Sequence, residues 1–341
     1  GRHRAAFTVE GYDRAPLKAE GALVADLTAR EAMLEQVHLM LGKGSVSLSG
    51  SLGMEKLALE AALENITPGA VPFVAPENYP AKIPSGKLTF TGTPQAPELA
   101  VSANITGRMR AVRDAGLSAE GHYKNGAAEI ALTGKGQGVR RFEAAASLPV
   151  SLSLYPFAFD LPREAKITGR AKGDFDLEQV IAPFLSAGQD LSGAVKLDAS
   201  LSGSLAEPVY DGGLTLAKAA FRDAETGILL KDMKGAMHFD QAGMVLESLT
   251  ATDGGTGKMS MTGTIGMGAG RDVPDVTAQV NLQGMHLVRA THASSILSGD
   301  VSVVPQRGRH LYPLNGTVLL DTVVYTLPAR VHISIPELSF V

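Results

Sequence analysis

The stretch Ser192–Ala219, SGAVKLDASLSGSLAEPVYDGGLTLAKA, carries the pattern that decides the fold. Between Val195 and Ser202, apolar side chains alternate strictly with polar ones. Successive side chains of a β-strand point to opposite faces, so this alternation predicts a strand with one apolar and one polar face. A turn rich in small residues and proline follows at Gly203–Pro208, and a second alternating strand covers Gly213–Ala219.

The same module recurs along the chain at a fixed spacing. A Ser-Gly pair that opens an alternating strand contains Gly86, Gly193 and Gly299, which lie 107 and 106 residues apart. A different motif, in which glycines flank a strand, contains Gly50 and Gly263, which lie 213 residues apart. Two independent motifs therefore share one period, which indicates a repeat architecture.

We divide the chain into repeats on this period. Each repeat is expected to hold several strands of about six to ten residues joined by tight turns. A short helix is predicted near residues 176–187, where Asp176 is a suitable N-cap and Pro183 limits the length. The predicted domains are a partial repeat at 1–84, a repeat with the helix at 85–191, a third repeat at 192–297 and a truncated repeat at 298–341.

The composition narrows the functional classes. The formal net charge is −4, which gives no electrostatic reason to expect a nucleic acid or an anionic membrane surface as partner. The chain has no cysteine, which excludes disulfides and thiolate metal sites. No run of about 18 apolar residues is present that would predict a membrane-spanning helix. We expect the chain to be a segment of a longer protein, because both of its ends resemble strand sequence.

The predicted fold class is all-β: an elongated antiparallel sheet curled into an open hydrophobic groove, with short crossover helices. Strand after strand presents one apolar face, and a sheet curled on itself places those faces inside. Aromatic residues make up only 5% of the chain, so few large side chains are available to fill that interior, and room is left for a ligand. Taken alone, the alternation favours an ordinary packed β-sandwich.

No motif in the chain indicates catalysis. Gly255–Lys258 and Gly134–Gly138 are glycine-rich, but neither fits the spacing of a phosphate-binding loop, and both are interpreted as turns. Asp174, Asp176 and Glu178 form an acidic patch that could bind a cation, although a helix cap explains it equally well. The histidines are scattered, and no nucleophile elbow is present. We therefore predict a protein that is not an enzyme and has neither cofactor nor metal ion.

The second half of the chain resembles a known family. Within Asp190–Pro336 the resemblance is carried by DLSGAVKLDASLSGSLAEPVYDGGLTLAKAAFRDAETGILLKDMKGAMHF, LESLTATDGGTGKMSMTGTIGM, LSGDVSVV and LNGTVLLDTVVYTLPARVHISIP. These stretches resemble the TamB family, the C-terminal part of the large translocation-and-assembly proteins of diderm bacteria, within the wider AsmA-like superfamily. Residues 1–189 match only as generic repeats of the same type. The repeat and this resemblance together favour the groove over the sandwich.

The TamB resemblance implies a function in the cell envelope. It implies a protein that is anchored in the inner membrane and spans the periplasm as a long apolar groove. Two roles are attached to that groove, namely phospholipid movement towards the outer membrane and outer-membrane protein assembly with a BamA-like β-barrel partner. For this chain the resemblance implies a periplasmic segment whose anchor lies outside it, with phospholipid acyl chains and that barrel as partners.

The apolar side of each predicted strand identifies the residues that we expect to line the groove. Met259 and Met261 add a soft, adaptable lining that suits irregular acyl chains. The predicted lining set is Leu88, Phe90, Val195, Leu197, Leu201, Leu214, Leu216, Met259, Met261, Ile265, Val318, Leu320, Ile333 and Ile335.

Two other functions stay open at this point. In the first, the sheet edges or the groove receive an unfolded outer-membrane client by β-augmentation, in which a peptide adds a strand to a sheet. In the second, the chain is a structural β spacer with a filled core, which predicts no apolar cavity and no bound lipid.

Overall fold

The computed structural model describes residues 1–12, 16–67, 81–109, 112–266, 275–290, 293–304 and 313–325. Strand accounts for 80% of the described residues and helix for 3%, as the alternating sequence predicts. The strands are β1 (Arg2–Tyr12), β2 (Pro16–Asp26), β3 (Glu31–Leu41), β4 (Gly44–Gly53), β5 (Leu57–Ile66), β6 (Ala81–Gly92), β7 (Pro97–Met109), β8 (Val112–Lys124), β9 (Ala127–Gly136), β10 (Val139–Pro149), β11 (Ser151–Leu154), β12 (Phe157–Asp160), β13 (Thr168–Asp176), β14 (Gln189–Gly203), β15 (Pro208–Asp223), β16 (Leu229–Asp240), β17 (Gly243–Thr252), β18 (Lys258–Gly266), β19 (Asp275–Ala290), β20 (Ala293–Val303) and β21 (Leu314–Tyr325).

These strands form one antiparallel sheet of 19 strands and one separate hairpin. From β1 to β10 each strand pairs with the next, and β10 then pairs with β13 and β13 with β14. Strands β17 to β21 also pair in chain order. The hairpin β11–β12 is inserted between β10 and β13 and forms a two-stranded sheet of its own. The predicted fold class is confirmed, because the chain is all-β and the described strands do not close into a barrel.

The helical crossover lies where the sequence predicts it. Helix α1 (Leu177–Ile181) continues as a single 3-10 turn at Ala182–Phe184. The carboxylate of Asp176 caps the helix by accepting a hydrogen bond from the N–H of Glu178 at 3.2 Å. The helix is short because a proline at position 183 cannot continue the backbone hydrogen bonding. No helix in the described ranges is long and apolar enough to span a bilayer.

The chain divides into two compact units, and we describe each one by itself. Both units consist mainly of sheet strands. Each unit therefore has two sheet faces, and the apolar and polar residues on those faces can be compared. Unit 1 comprises Gly1–Pro183, Ala194–Thr215 and His238–Gln241, and unit 2 comprises Phe184–Gly193, Leu216–Met237 and Ala242–Val341.

The sequence period corresponds to a fixed number of strands. The three Ser-Gly modules lie in β6, β14 and β20, and each is six main-sheet strands after the one before, because β11 and β12 belong to the separate hairpin. The second motif lies in β4 and β18, which are twelve main-sheet strands apart. One period of about 107 residues therefore equals six strands. The boundaries of the four predicted repeats stay a prediction.

The turn after β2 predicts a specific pH response. The carboxylate of Asp26 accepts hydrogen bonds from the N–H groups of Thr28 and Ala29 at 2.9 and 3.0 Å and from Nε of Arg2 at 3.0 Å. The bond from Ala29, followed by that from Arg2, lowers the pKa of Asp26 to about 2. A lowered pKa stabilises the fold above the unfolded value of about 4, and this stabilisation disappears as the pH falls towards the folded value.

We therefore expect Asp26→Asn to lower the melting temperature near neutral pH but not at pH 2. The difference is expected to be small, on the order of a degree, because this carboxylate is in contact with solvent. Thermal unfolding of both proteins between pH 2 and pH 7 measures it. A difference that persists unchanged at pH 2 would show that the charge of Asp26 is not its cause.

Candidate functional site

The candidate site is one face of the sheet in unit 1, which we call the unit 1 apolar face. Directly paired residues of neighbouring antiparallel strands share a face, so the strand register shows which side chains lie together. One unbroken row of direct pairs crosses nine strands, and every member is apolar or glycine. The row runs Leu48, Ala61, Leu88, Val101, Gly121, Ile130, Ala146, Gly169 and Leu201.

The opposite side of the same strands, which we call the polar face, has a different chemistry. The row next to the one above runs Ser47, Ala62, Lys87, Ser102, Glu120, Ala131, Ala145, Arg170 and Ser200. Opposite charges pair across strands on this face, with Nζ of Lys87 2.8 Å from Glu60 and Nζ of Lys172 2.9 Å from Asp198. These exposed pairs keep the polar face solvated and close to electrically neutral.

The unit 1 apolar face is not buried like a filled core. Val101 and Ile130 lie in the middle of the nine-strand row, and 38% and 42% of their respective surfaces remain exposed. A side chain at the centre of a packed sandwich would touch a second layer and lose nearly all of that exposure. Most other members of the row are half-buried, and Ala61 and Gly121 are buried. Large apolar side chains left exposed in the middle of a sheet are typical of sites that bind an apolar partner.

Unit 2 has the same division between its faces. Its apolar face contains the paired rows Met259, Leu282, Gly299 and Val318, and Met261, Val280, Val301 and Gly316. The opposite side carries the row Ser260, Asn281, Asp300 and Thr317. Ile265 and Val318 keep 37% and 48% of their surface exposed, whereas Leu282 is buried at 8%, so this apolar face is accessible in part.

Glycines on these faces bring neighbouring strands into close contact. Gly299 in β20 has a φ of +146° and Gly316 in β21 has a φ of +155°, a region that L side chains rarely adopt. A Cβ at either position would collide with a backbone carbonyl of the paired strand, that of Thr317 or of Asp300. Backbone geometry therefore requires the glycine of the Ser-Gly module at Gly299, and also at Gly193 with its φ of +130°, but not at Gly86.

The structure places the predicted lining residues on the apolar faces of the two units. In unit 1, Leu88, Phe90, Val195, Leu197 and Leu201 all lie on the apolar face. In unit 2, Met259, Met261, Ile265, Val318 and Leu320 share the apolar face. Whether these side chains contact a ligand stays a prediction.

The remaining predicted lining residues lie in β15 or beyond the described strands. A Cβ on Gly212 would lie 2.9 Å from Cβ of Ala199, which places Gly212 on the apolar side of β15. Leu214 and Leu216 follow at alternate positions of β15 and are half-buried. Ile333 and Ile335 lie outside the described residues.

The glycine-rich segment Gly255–Lys258 forms the turn between β17 and β18, as the sequence predicts. One carboxylate oxygen of Asp253, a residue only 4% exposed, accepts hydrogen bonds from the N–H groups of Gly255 and Gly257 at 2.7 and 3.1 Å. The other oxygen accepts one from the N–H of His286 at 3.0 Å. The amides that a phosphate would need are already bonded to this carboxylate, so the segment is a structural turn.

In the acidic patch of Asp174, Asp176 and Glu178 the fold accounts for Asp176, whereas one buried carboxylate oxygen of Asp174 has no hydrogen-bond partner among the described residues. Asp176 is the N-cap of α1, and its second carboxylate oxygen lies 3.2 Å from the guanidinium of Arg140. Across the described residues, no three histidine or acidic side chains come together in a way that could hold a metal ion. The helix-cap interpretation of this patch therefore has a direct structural basis.

Two features were missed by reasoning from the sequence. The first is the role of Asp253, whose partner His286 is 33 residues away, so no local pattern signals it. The second is the hairpin β11–β12, which carries Tyr155, Phe157 and Phe159 in a chain with only 7 Tyr, 11 Phe and no Trp. That local concentration of aromatic residues was the available signal for the hairpin.

Comparison with known proteins gives no relative from which a function could be carried over. No family model, no curated protein and no solved structure matches the chain. The function is therefore inferred from the two apolar faces, the polar face and the hairpin.

Proposed function

We propose that the apolar faces carry phospholipid acyl chains. The observation that supports this most directly is the nine-strand row of apolar and glycine residues in unit 1, whose central side chains stay exposed. Each CH₂ group of an acyl chain that leaves water for such a surface gains about 0.8 kcal/mol. Because the row has no charged member, a chain finds similar contacts at each strand and no deep trap.

The TamB resemblance supplies the biological setting of this proposal. A segment of a TamB-like envelope protein would guide acyl chains across the periplasm between the inner and outer membranes, with the phospholipid headgroup in water. The same setting includes support of outer-membrane protein assembly through a BamA-like barrel bound by the parent protein. No step requires covalent chemistry, so the proposal needs neither an enzyme nor a cofactor.

Site-specific photo-crosslinking at two adjacent positions tests the proposal. A photoreactive amino acid is placed at Leu197, on the apolar face, or at Lys196, on the polar face, in protein expressed in a diderm bacterium. Mass spectrometry then identifies what is attached. We expect phospholipid adducts at Leu197 and none at Lys196, because only the first position contacts an acyl chain.

The two rival functions give different adducts. Peptide adducts at Leu197 would favour β-augmentation of an outer-membrane client, a possibility that β21 supports because all twelve of its residues are exposed. No adduct at either position, from protein shown to be folded by circular dichroism, would indicate a structural spacer. Lipid attached equally at both positions would contradict a face-specific site.

A further inference from the structure

The hairpin β11–β12 has one apolar side and one polar side. Its four cross-strand pairs alternate between the two sides, because paired residues of antiparallel strands point the same way. The apolar side holds the pairs Leu152–Phe159 and Leu154–Phe157, and the polar side holds the pairs Ser151–Asp160 and Ser153–Ala158.

The hairpin is attached to unit 1 through backbone and hydroxyl groups. The N–H of Leu154 donates to the carbonyl of Pro94 at 2.6 Å, and Oγ of Ser153 lies 3.5 Å from the same carbonyl. The hydroxyl of Tyr123 accepts a hydrogen bond from the N–H of Leu152 at 3.0 Å. Because two of these bonds use backbone N–H groups of β11, the hairpin is held mainly by the edge of β11, whose residues from Leu152 to Leu154 are half-buried.

The large side chains of the hairpin are left in solvent. Phe157 is 75% exposed, Phe159 is 62% exposed, and Tyr155 in the connecting turn is 59% exposed. An amphipathic element usually packs its apolar side onto the core and leaves its polar side in water. Here only the two leucines of the apolar side are half-buried, whereas Phe157 and Phe159 stay exposed, which indicates that these two side chains have a partner outside this fold.

We propose that this hairpin inserts its aromatic tip into the boundary between headgroups and acyl chains of a phospholipid bilayer. Tyrosine and phenylalanine combine a large apolar surface with a shape that suits this boundary, where tyrosine is enriched. Residues 150–162, VSLSLYPFAFDLP, contain a single charged side chain, that of Asp160, and no lysine or arginine. The insertion is therefore driven by apolar burial and does not depend on anionic lipid.

The position of the hairpin connects it to the unit 1 apolar face. Tyr123, which holds Leu152, is paired with Leu99 and Ala128 in a row of that face and is buried. The start of β11, at Leu152, therefore lies next to the unit 1 apolar face. Transfer of an acyl chain from the bilayer to the unit 1 apolar face would rest on the proposed function. Insertion of the hairpin into the bilayer does not depend on that function.

Flotation with vesicles of pure phosphatidylcholine tests the insertion. We expect the protein to float with these vesicles, and the double variant Phe157→Ser, Phe159→Ser to bind at least about tenfold more weakly, equivalent to 1.4 kcal/mol. The matched control is Phe184→Ser, which removes a phenylalanine that is 72% exposed outside the hairpin and should float like the unsubstituted protein. Raising the salt concentration should leave the binding unchanged.

A fluorescence measurement locates the tip in the bilayer independently of folding yield. The chain contains no tryptophan, so Phe157→Trp provides a single tryptophan probe when it is excited at a wavelength that its seven tyrosines do not absorb. Its emission should shift to the blue on vesicle addition and be quenched by lipids brominated near the top of the acyl chain. Absence of both effects in folded protein would overturn the proposal.

Other outcomes would also overturn the insertion. Failure of the unsubstituted protein to float, or equal loss of flotation in Phe184→Ser, would exclude a specific hairpin contact. A dimer in sedimentation that becomes a monomer in the double variant, without flotation, would assign the apolar side to a second copy of the chain. Lipid crosslinking at Leu197 in the double variant distinguishes the two proposals. If only the hairpin insertion is wrong, the double variant should still crosslink lipid at Leu197.

Discussion

Simultaneous replacement of Leu88 and Leu197 by glutamate is expected to reduce the phospholipid that copurifies with the chain at least about tenfold. Both residues lie on the unit 1 apolar face, Leu88 directly opposite Val101 and Leu197 directly opposite Gly173. A carboxylate on this face must either lose water against the acyl chain or keep the chain away, and each outcome costs more than the 1.4 kcal/mol that a tenfold loss represents. Lipid extraction followed by quantitative mass spectrometry measures the effect.

The control adds the same two charges to the other face. Ser102 and Ser200 are exposed on the polar face, directly opposite the cationic Lys87 and Arg170. Ser102 also lies directly opposite Glu120, so its new charge has one attractive and one repulsive neighbour. The variant Ser102→Glu, Ser200→Glu should therefore retain its lipid with at most a small loss of stability. Equal lipid loss in both double variants would show that charge, and not the apolar face, controls binding. Retention of lipid in the leucine double variant would contradict the proposed site.

Removal of the Asp253 carboxylate is expected to produce the largest loss of stability in unit 2. Asp253→Ala deletes the acceptor for the N–H groups of Gly255, Gly257 and His286 and leaves these donors in a buried turn. Hydrogen bonds to a charged group, together with the cost of unsatisfied buried donors, predict a loss of roughly 3 kcal/mol in the free energy of unfolding. Urea unfolding followed by circular dichroism measures this loss.

An exposed aspartate provides the comparison for this variant. Asp198→Ala breaks an ion pair with Lys172 in which both side chains are largely exposed, so it should cost less than about 1 kcal/mol. A loss of similar size in both variants would mean that the buried turn adds nothing beyond an ordinary surface pair. We expect instead that Asp253→Ala also exposes the β17–β18 turn to proteolysis.

Much of the fold was predictable because strand alternation is local. The face of Leu197 follows from its neighbours Lys196 and Asp198 alone, since successive side chains of a strand must point apart. The charges of Ala29–Leu39 allow a helix and its VHLML end favours a strand, so its sequence leaves both open; in the structure Glu31–Leu41 is strand β3, paired with β2 and β4. Such pairing involves distant residues, so a local pattern cannot decide it.

The sequence predicts which residues of the candidate site are apolar, but it does not predict what packs against them. Alternation identifies which side of a strand is apolar, but it does not show whether a second layer covers that side. The exposure of Ile130 depends on what the rest of unit 1 places opposite it, which local sequence does not specify. The exposure of the hairpin phenylalanines was missed for the same reason, because the position of the hairpin is set by the distant carbonyl of Pro94 and hydroxyl of Tyr123.

The correspondence of one sequence period with six strands has a consequence for evolution. In the described parts of the sheet, strands bond to their neighbours in the chain, so duplication or deletion of one period would change the contacts only at the two junctions. With strands about 4.8 Å apart, each gain or loss would alter the reach of the protein by about 29 Å. If duplication and deletion follow these junctions, homologues should differ in length by whole multiples of about 107 residues, and under the proposed function those lengths should follow the thickness of the envelope.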